Sequence, residues 1–310
     1  MSEITSSTEN TCDIVLEGGG VKGIALVGAV GALAAKGCEF RRVAGTSAGA
    51  IVGALTAAGF TPDEMKAMVE ELDYRKFQDE GLLARFGLPG KLASLALYRG
   101  IYKGNYARDW LAQQLETKGV RTFGDLRLTD GWAADIPESE RYKLVVVTSD
   151  ITRTEMFRFP FDYPKLGLDP DEQNVADAVH ASMAMPFHFR PVTFAGDQFV
   201  DGGMLSNYPI DIFGPLKDKP WNTIGIKLSA KEKATGLRMP TDNLVEYILA
   251  LVETSIRGHD QLHIDDPETQ AHTVFVDTGD IQATDFNLSR EQQTRLYKLG
   301  YAAATKFALP

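Results

Sequence analysis

The 310-residue sequence is poor in cysteine, in histidine and in positive charge. Two cysteines, Cys12 and Cys38, are too few for a disulfide framework, so both thiols are expected to be structural and the setting cytoplasmic. The five histidines are His180, His188, His259, His263 and His272. None has neighbours that announce a catalytic triad. Lysine and arginine total 32 against 42 acidic residues, a formal charge of −10, which argues against a nucleic-acid partner. The polar, acidic start "MSEITSSTENTCD" shows no basic or apolar leader region, and no secretory signal is expected. Long apolar runs are also missing. The uncharged stretch from Val43 to Phe60 is long enough to raise a membrane span, but it is mostly Gly, Ala, Ser and Thr. A buried strand-turn-helix explains it better.

What remains is an ordinary globular composition, 44% hydrophobic and 24% charged. The N-terminal third alternates strand and helix signals. Ile14–Leu16 reads as a strand, followed by a Gly/Ala-rich helix to about Ala35 that Gly37 closes. Phe40–Ala44 is the next strand, and Ala48–Ala58 a second buried helix ending at Gly59. In "TPDE", Thr61 caps a third helix, Pro62 takes its first position and Glu64 completes a capping box. Further signals are a helix around 110–116, a central strand at 142–148, a helix over 174–185 stopped by Pro186, a buried strand at 223–229, and closing helices at 242–256 and 289–308. This alternation predicts an α/β fold with a mostly parallel sheet under helical cover. A flexible tail over 1–12 and one domain over 13–310 are expected.

Two short motifs carry chemistry. Gly45-Thr46-Ser47-Ala48-Gly49 is Gly-x-Ser-x-Gly, placed between an apolar strand and an Ala-rich helix. That pattern puts a serine on a sharp turn whose flanking positions tolerate no side chain. The serine needs a base. In "FVDGGMLSNYPI", Asp201 precedes Gly202-Gly203 on what reads as an exposed turn. It fits a catalytic carboxylate and an ordinary Asp-Gly turn about equally well.

The loop "LEGGGVKG" fits G-x-G-x-x-G through Gly18, Gly20 and Gly23. A dinucleotide site wants an acid at the end of the second strand. That end carries Gly45-Thr46-Ser47 instead, and Glu39 precedes the strand, so a nucleotide-dependent oxidoreductase is the weak alternative. The loop suits the oxyanion of an ester under attack, with donors from Gly18, Gly19 and Gly20 and a further one from Ala48. Lys22 sits unfavourably at a helix start unless an anion lies nearby.

The blocks Gly-Gly-Gly-x-Lys-Gly at 18–23, Gly-Thr-Ser-Ala-Gly at 45–49 and Asp-Gly-Gly at 201–203 resemble, in order, the signatures of patatin-like phospholipases. The pieces "GIYKGNY", "TFGDL", "ASMAMPFHFRPV" and "SNYP" look similar too, so the resemblance runs from about residue 13 to the C-terminus. It implies a three-layer α/β/α fold and a Ser47–Asp201 dyad without histidine. It also implies hydrolysis of lipid acyl esters through an acyl-enzyme, or general carboxylesterase or thioesterase chemistry on the same fold. Lys22, Gly23, Gly45, Gly49, Gly202 and Gly203 support that site, and no metal or cofactor is expected. The alternative outside enzymes is a catalytically dead lipid-binding module.

From Gly81 to Arg108 the chain carries Arg85, Lys91, Arg99, Lys103 and Arg108 among leucines and aromatics, with no acid. Residues 81–98 are expected to form a lid or interfacial loop that docks peripherally on an anionic bilayer. The acidic runs at 169–172 and 265–268 read as solvated loops.

Overall fold

The computed structural model describes residues 11–129, 136–214, 221–229 and 266–310, with 133, 134, 216, 241, 242, 247, 250–252, 254 and 255 between them. Residues 1–10, His259 and His263 lie outside the described residues, as does most of the helix expected over 242–256.

Strand β1 (Thr11–Leu16) leads through the glycine loop into α1 (Gly23–Ala35). Then come β2 (Glu39–Thr46), α2 (Ala48–Ala57) and α3 (Pro62–Glu71). The Thr61–Glu64 capping box is present, with Pro62 at the first helical position. After α4 (Gly87–Tyr98), β3 (Gly100–Tyr102) and α5 (Asn105–Thr117) follow β4 (Leu144–Asp150), β5 (Glu155–Phe159) and α6 (Val175–Ser182). The remaining elements are β6 (Phe187–Phe189), β7 (Val192–Phe194), β8 (Asp197–Asp201), β9 (Asn222–Lys227), α7 (Pro267–Ala271), β10 (Thr273–Phe275) and α8 (Arg290–Lys306).

Among the described residues one sheet has eight strands, in the order β10-β9-β1-β2-β4-β8-β7 with β5 also on β4. Strands β10 to β4 pair in parallel, while β5, β8 and β7 are antiparallel. The fold is mixed α/β, a mostly parallel central sheet flanked by helices. The two-residue period of the strands divides the core. Ile14, Leu16, Val43, Leu144 and Val146 face the large cluster with α1 and α2. Val15, Ala44 and Val145 face Tyr208 and Ile210 on the other side. Both faces are therefore apolar, as buried parallel strands require.

Three expectations need correction. Thr11 and Cys12 belong to β1, so a tail over 1–12 is too long. Residues 87–98 form the helix α4, not a loop. The run "KLASLALY" is made of good helix formers, and the glycines before it only start the helix. The 169–172 run is anchored: the Asp171 carboxylate accepts from Arg127 and from the Tyr142 hydroxyl. Among the described residues no helix is long and apolar enough to cross a membrane.

Candidate active site

Parallel α/β sheets present their functional groups beyond the C-terminal ends of the strands, because the loops there open toward helix N-termini. β1 ends at the glycine loop and β2 ends at Ser47. The turn at Ser47 is tight: φ is 53° and ψ is −120°, a conformation that costs a non-glycine residue on the order of 1–3 kcal/mol. It is held by its own N–H, which donates to Ser182 Oγ at 2.8 Å, while that hydroxyl donates to the Val147 carbonyl at 2.6 Å. The two glycines of the motif are sterically required. A Cβ on Gly45 would lie 2.6 Å from Ala50 N, and one on Gly49 2.8 Å from the Glu17 carbonyl oxygen.

Asp201 ends β8, opposite Thr148 of β4. It is not on an exposed turn: only 3% of its surface is accessible. The antiparallel pairing with β4 carries it inside, which an Asp-Gly-Gly sequence does not reveal. One carboxylate oxygen, Oδ1, accepts the Gly203 N–H at 2.8 Å, and the Asp201 N–H donates to the Ala184 carbonyl at 2.9 Å. Thr46 Oγ1 donates to the Ser206 carbonyl at 3.1 Å, tying the residue before Ser47 to the segment after Asp201. Gly202 fits between the Val147 carbonyl and the Thr46 side chain.

Ser47 and Asp201 open onto one cavity, together with Gly20, Gly23 and Ala48. Its walls are apolar, from Ile24, Val27, Leu55, Phe77, Trp110 and Phe286 among others. Gly18, Gly19 and Lys22 do not line it. The Gly18 N–H donates to the Asn207 carbonyl at 3.1 Å, so this amide is engaged. Among the described residues the N–H groups of Gly19 and Gly20 meet no acceptor. Ala48 opens α2, where helix geometry leaves the first amides without an intrahelical acceptor. Lys22 turns away from the cavity toward the Leu228 carbonyl, 3.5 Å off. Glu39 begins β2, the wrong end of the strand for a ribose carboxylate.

A profile of the patatin-like phospholipase family matches residues 14–213. The chain belongs to the patatin-like phospholipase family. YqhO, an uncharacterized protein of Bacillus subtilis, is 38% identical over 296 residues, 93% of this chain and 94% of YqhO. A cUMP-AMP-activated phospholipase of Escherichia coli is 30% identical over 212 residues, 65% of this chain and 57% of that protein. The crystal structure of VipD from Legionella pneumophila shares the fold, with a TM-score of 0.58 at 20% identity over 96% of this chain and 66% of VipD. The chain thus spans nearly all of YqhO, and under two thirds of the E. coli phospholipase. Patatin-like membership supports lipid hydrolysis as the activity.

Several residues that hold this candidate site lie outside the three motif blocks at 18–23, 45–49 and 201–203. Asn207 is buried; its side-chain amide donates to the Gly18 carbonyl at 3.3 Å and to Glu17 Oε1 at 3.5 Å. Glu17 also accepts from Lys227 Nζ and from the Leu228 N–H, so a buried ion pair braces the loop from behind. Ser182 supports the elbow. These partners are about 135 to 211 positions away from the motif residues they serve, and only the fold brings them together.

Neither described histidine near the cavity lines it. His180 in α6 packs its ring nitrogen on the Lys103 carbonyl at 3.1 Å. His188 stacks on Phe286 at 5.5 Å and meets Phe189 edge-on at 4.7 Å, both cavity residues. Burial, with a smaller push from Lys91, lowers the His188 pKa from 6.5 to about 4. The neutral ring therefore gives full stability above about pH 6.5, lost as pH falls from there through about 4, on the order of 3 kcal/mol in total. Chemical denaturation across that window is expected to show a shallower acid loss in His188→Phe than in the parent. Equal slopes would contradict the burial argument.

Proposed function

We propose that this protein hydrolyses acyl esters of lipids by a Ser47–Asp201 dyad. The observation that carries the reading is that both residues open onto one apolar cavity, with Ser47 held on a strained elbow. In the first step Ser47 Oγ attacks the ester carbonyl carbon, and its proton passes to the Asp201 carboxylate. The carbonyl electrons move onto oxygen, where the N–H groups of Gly20 and Ala48, both lining the cavity, stabilise them; each such donor is worth roughly 3 kcal/mol in the transition state. Gly18, its amide committed to Asn207, shapes the loop instead. The intermediate collapses to an acyl-serine, and the leaving alkoxide takes the proton from Asp201. Water then adds with Asp201 as base, releasing the fatty acid. The apolar walls fit an acyl chain, and the proposed domain is one unit over the family region and the elements around it. Mixed-lipid vesicles should yield free fatty acid and the matching deacylated lipid, identified by mass spectrometry, and none with Ser47→Ala. Equal release by the variant would end this reading.

The same reading brings the enzyme to a bilayer. α4 and the segment before it expose Leu82, Phe86, Leu88 and Leu97, with accessible fractions of 58–73%. Arg85 and Arg99 are exposed on the same segment of a chain with net charge −10. Apolar side chains beside basic ones suit peripheral docking on anionic lipid, at about 1 kcal/mol per cation. Leu82→Ser/Phe86→Ser/Leu97→Ser is expected to weaken vesicle binding at least tenfold in a flotation assay while circular dichroism stays unchanged. Unaltered binding would exclude α4 as the docking element.

A further inference from the structure

We infer that Arg190 and Lys103 form a binding site for the phosphate of an anionic lipid at the foot of α4. The inference rests on the bilayer-docking reading and adds a specific headgroup chemistry to it. Arg190 follows β6, directly after the cavity residue Phe189. Its guanidinium lies over the ring of Tyr98, the last residue of α4, with Cζ 3.9 Å from the centroid. Gly81 also lies beside it. A Cβ built on Gly81 would stand 3.4 Å from Arg190 Cζ and 3.9 Å from Lys103 Cε, so both cationic side chains converge on this one bare stretch of backbone.

The acids nearby are otherwise occupied. Asp79 accepts from the Gly104 N–H at 2.6 Å and the Tyr106 N–H at 3.2 Å. Glu80 lies 4.0 Å from Lys91. Among the described residues neither Arg190 nor Lys103 has a carboxylate within salt-bridge distance, whereas Arg42, Arg108, Arg127, Arg153 and Arg158 all do. Arg190 Nε is buried and meets no acceptor. A half-buried guanidinium stacked on an aromatic ring keeps its planar fork fixed, and that fork matches two oxygens of a phosphate. Lys103 adds a second point charge. Leu88 and Leu92, one turn apart, are exposed on the helix that ends at Tyr98, so α4 resting on a bilayer would bring headgroups near the site.

The site is tested by lipid chemistry at constant charge. Phosphatidylcholine vesicles carry either phosphatidate or cholesteryl hemisuccinate, matched in surface potential, so that only one set offers a terminal phosphate. The parent protein is expected to bind the phosphatidate vesicles about tenfold more tightly. Arg190→Gln/Lys103→Gln should lose this preference. Arg85→Gln/Arg99→Gln, with the same change in charge, should bind both vesicles more weakly yet keep it. If the double variant at 190 and 103 fails to fold by circular dichroism, Lys103→Gln alone must still reduce the preference. No preference in the parent protein, its survival in Arg190→Gln/Lys103→Gln, or equal loss in both pairs overturns the proposal. A thermal shift with inorganic phosphate but no vesicle preference would assign the site to free phosphate and overturn the lipid assignment. Binding needs no turnover, so a failure here is separate from a failure to cleave esters.

Discussion

Asp201→Asn is expected to lower kcat for a soluble acyl ester by about 10⁴–10⁶-fold, the scale of losing one member of a nucleophile-base pair. The substitution keeps an oxygen that can accept the Gly203 N–H, so the turn after β8 retains its bond. What it removes is the capacity to take a proton. The melting temperature should therefore move by only a few degrees while turnover disappears. Asp201→Asn retaining more than a tenth of the activity would point to another base.

Lys227→Met is the substitution expected to cost most in stability. Lys227 and Glu17 are both nearly inaccessible, at 2% and 5%, and pair directly. Removing the cation leaves a carboxylate inside the protein without its counter-charge, still facing the Asn207 amide and the Leu228 N–H. Stranding one partner of such a pair typically costs about 3–5 kcal/mol, whereas replacing both by apolar groups is often neutral. Urea unfolding should show that loss in Lys227→Met and recovery of most of it in Glu17→Leu/Lys227→Met. A single-variant loss below about 1 kcal/mol would mean that the pair braces nothing. Glu17 lies one residue before Gly18, so the double variant is also expected to lower kcat through a looser loop even where stability returns.

The parts of this architecture that were legible in the sequence are local. The Thr61–Glu64 capping box, the β1 and β2 strands and the Gly45–Gly49 elbow each depend on residues a few positions apart, and each stands where its sequence places it. The family likewise follows from three short blocks. Burial of Asp201 was not legible, because an Asp-Gly-Gly turn looks the same on a surface as beside a central strand. Nor was α4, whose glycine-rich start and exposed leucines contradict the usual sign of a folded helix. Asn207 and Ser182 fall within "SNYP" and "ASMAMPFHFRPV", which do not reveal their partners, and Lys227 carries no motif. Their roles come from backbone carbonyls and carboxylates contributed by distant strands, and chain folding alone creates those neighbours.

Ser47 is the proposed nucleophile. Incubation with an alkyl fluorophosphonate, followed by intact-mass and peptide mass spectrometry, tests it most directly. One adduct per chain is expected, located on Ser47, absent in Ser47→Ala and formed far more slowly in Asp201→Asn. An adduct on any other residue, or undiminished labelling of Ser47→Ala, would contradict it.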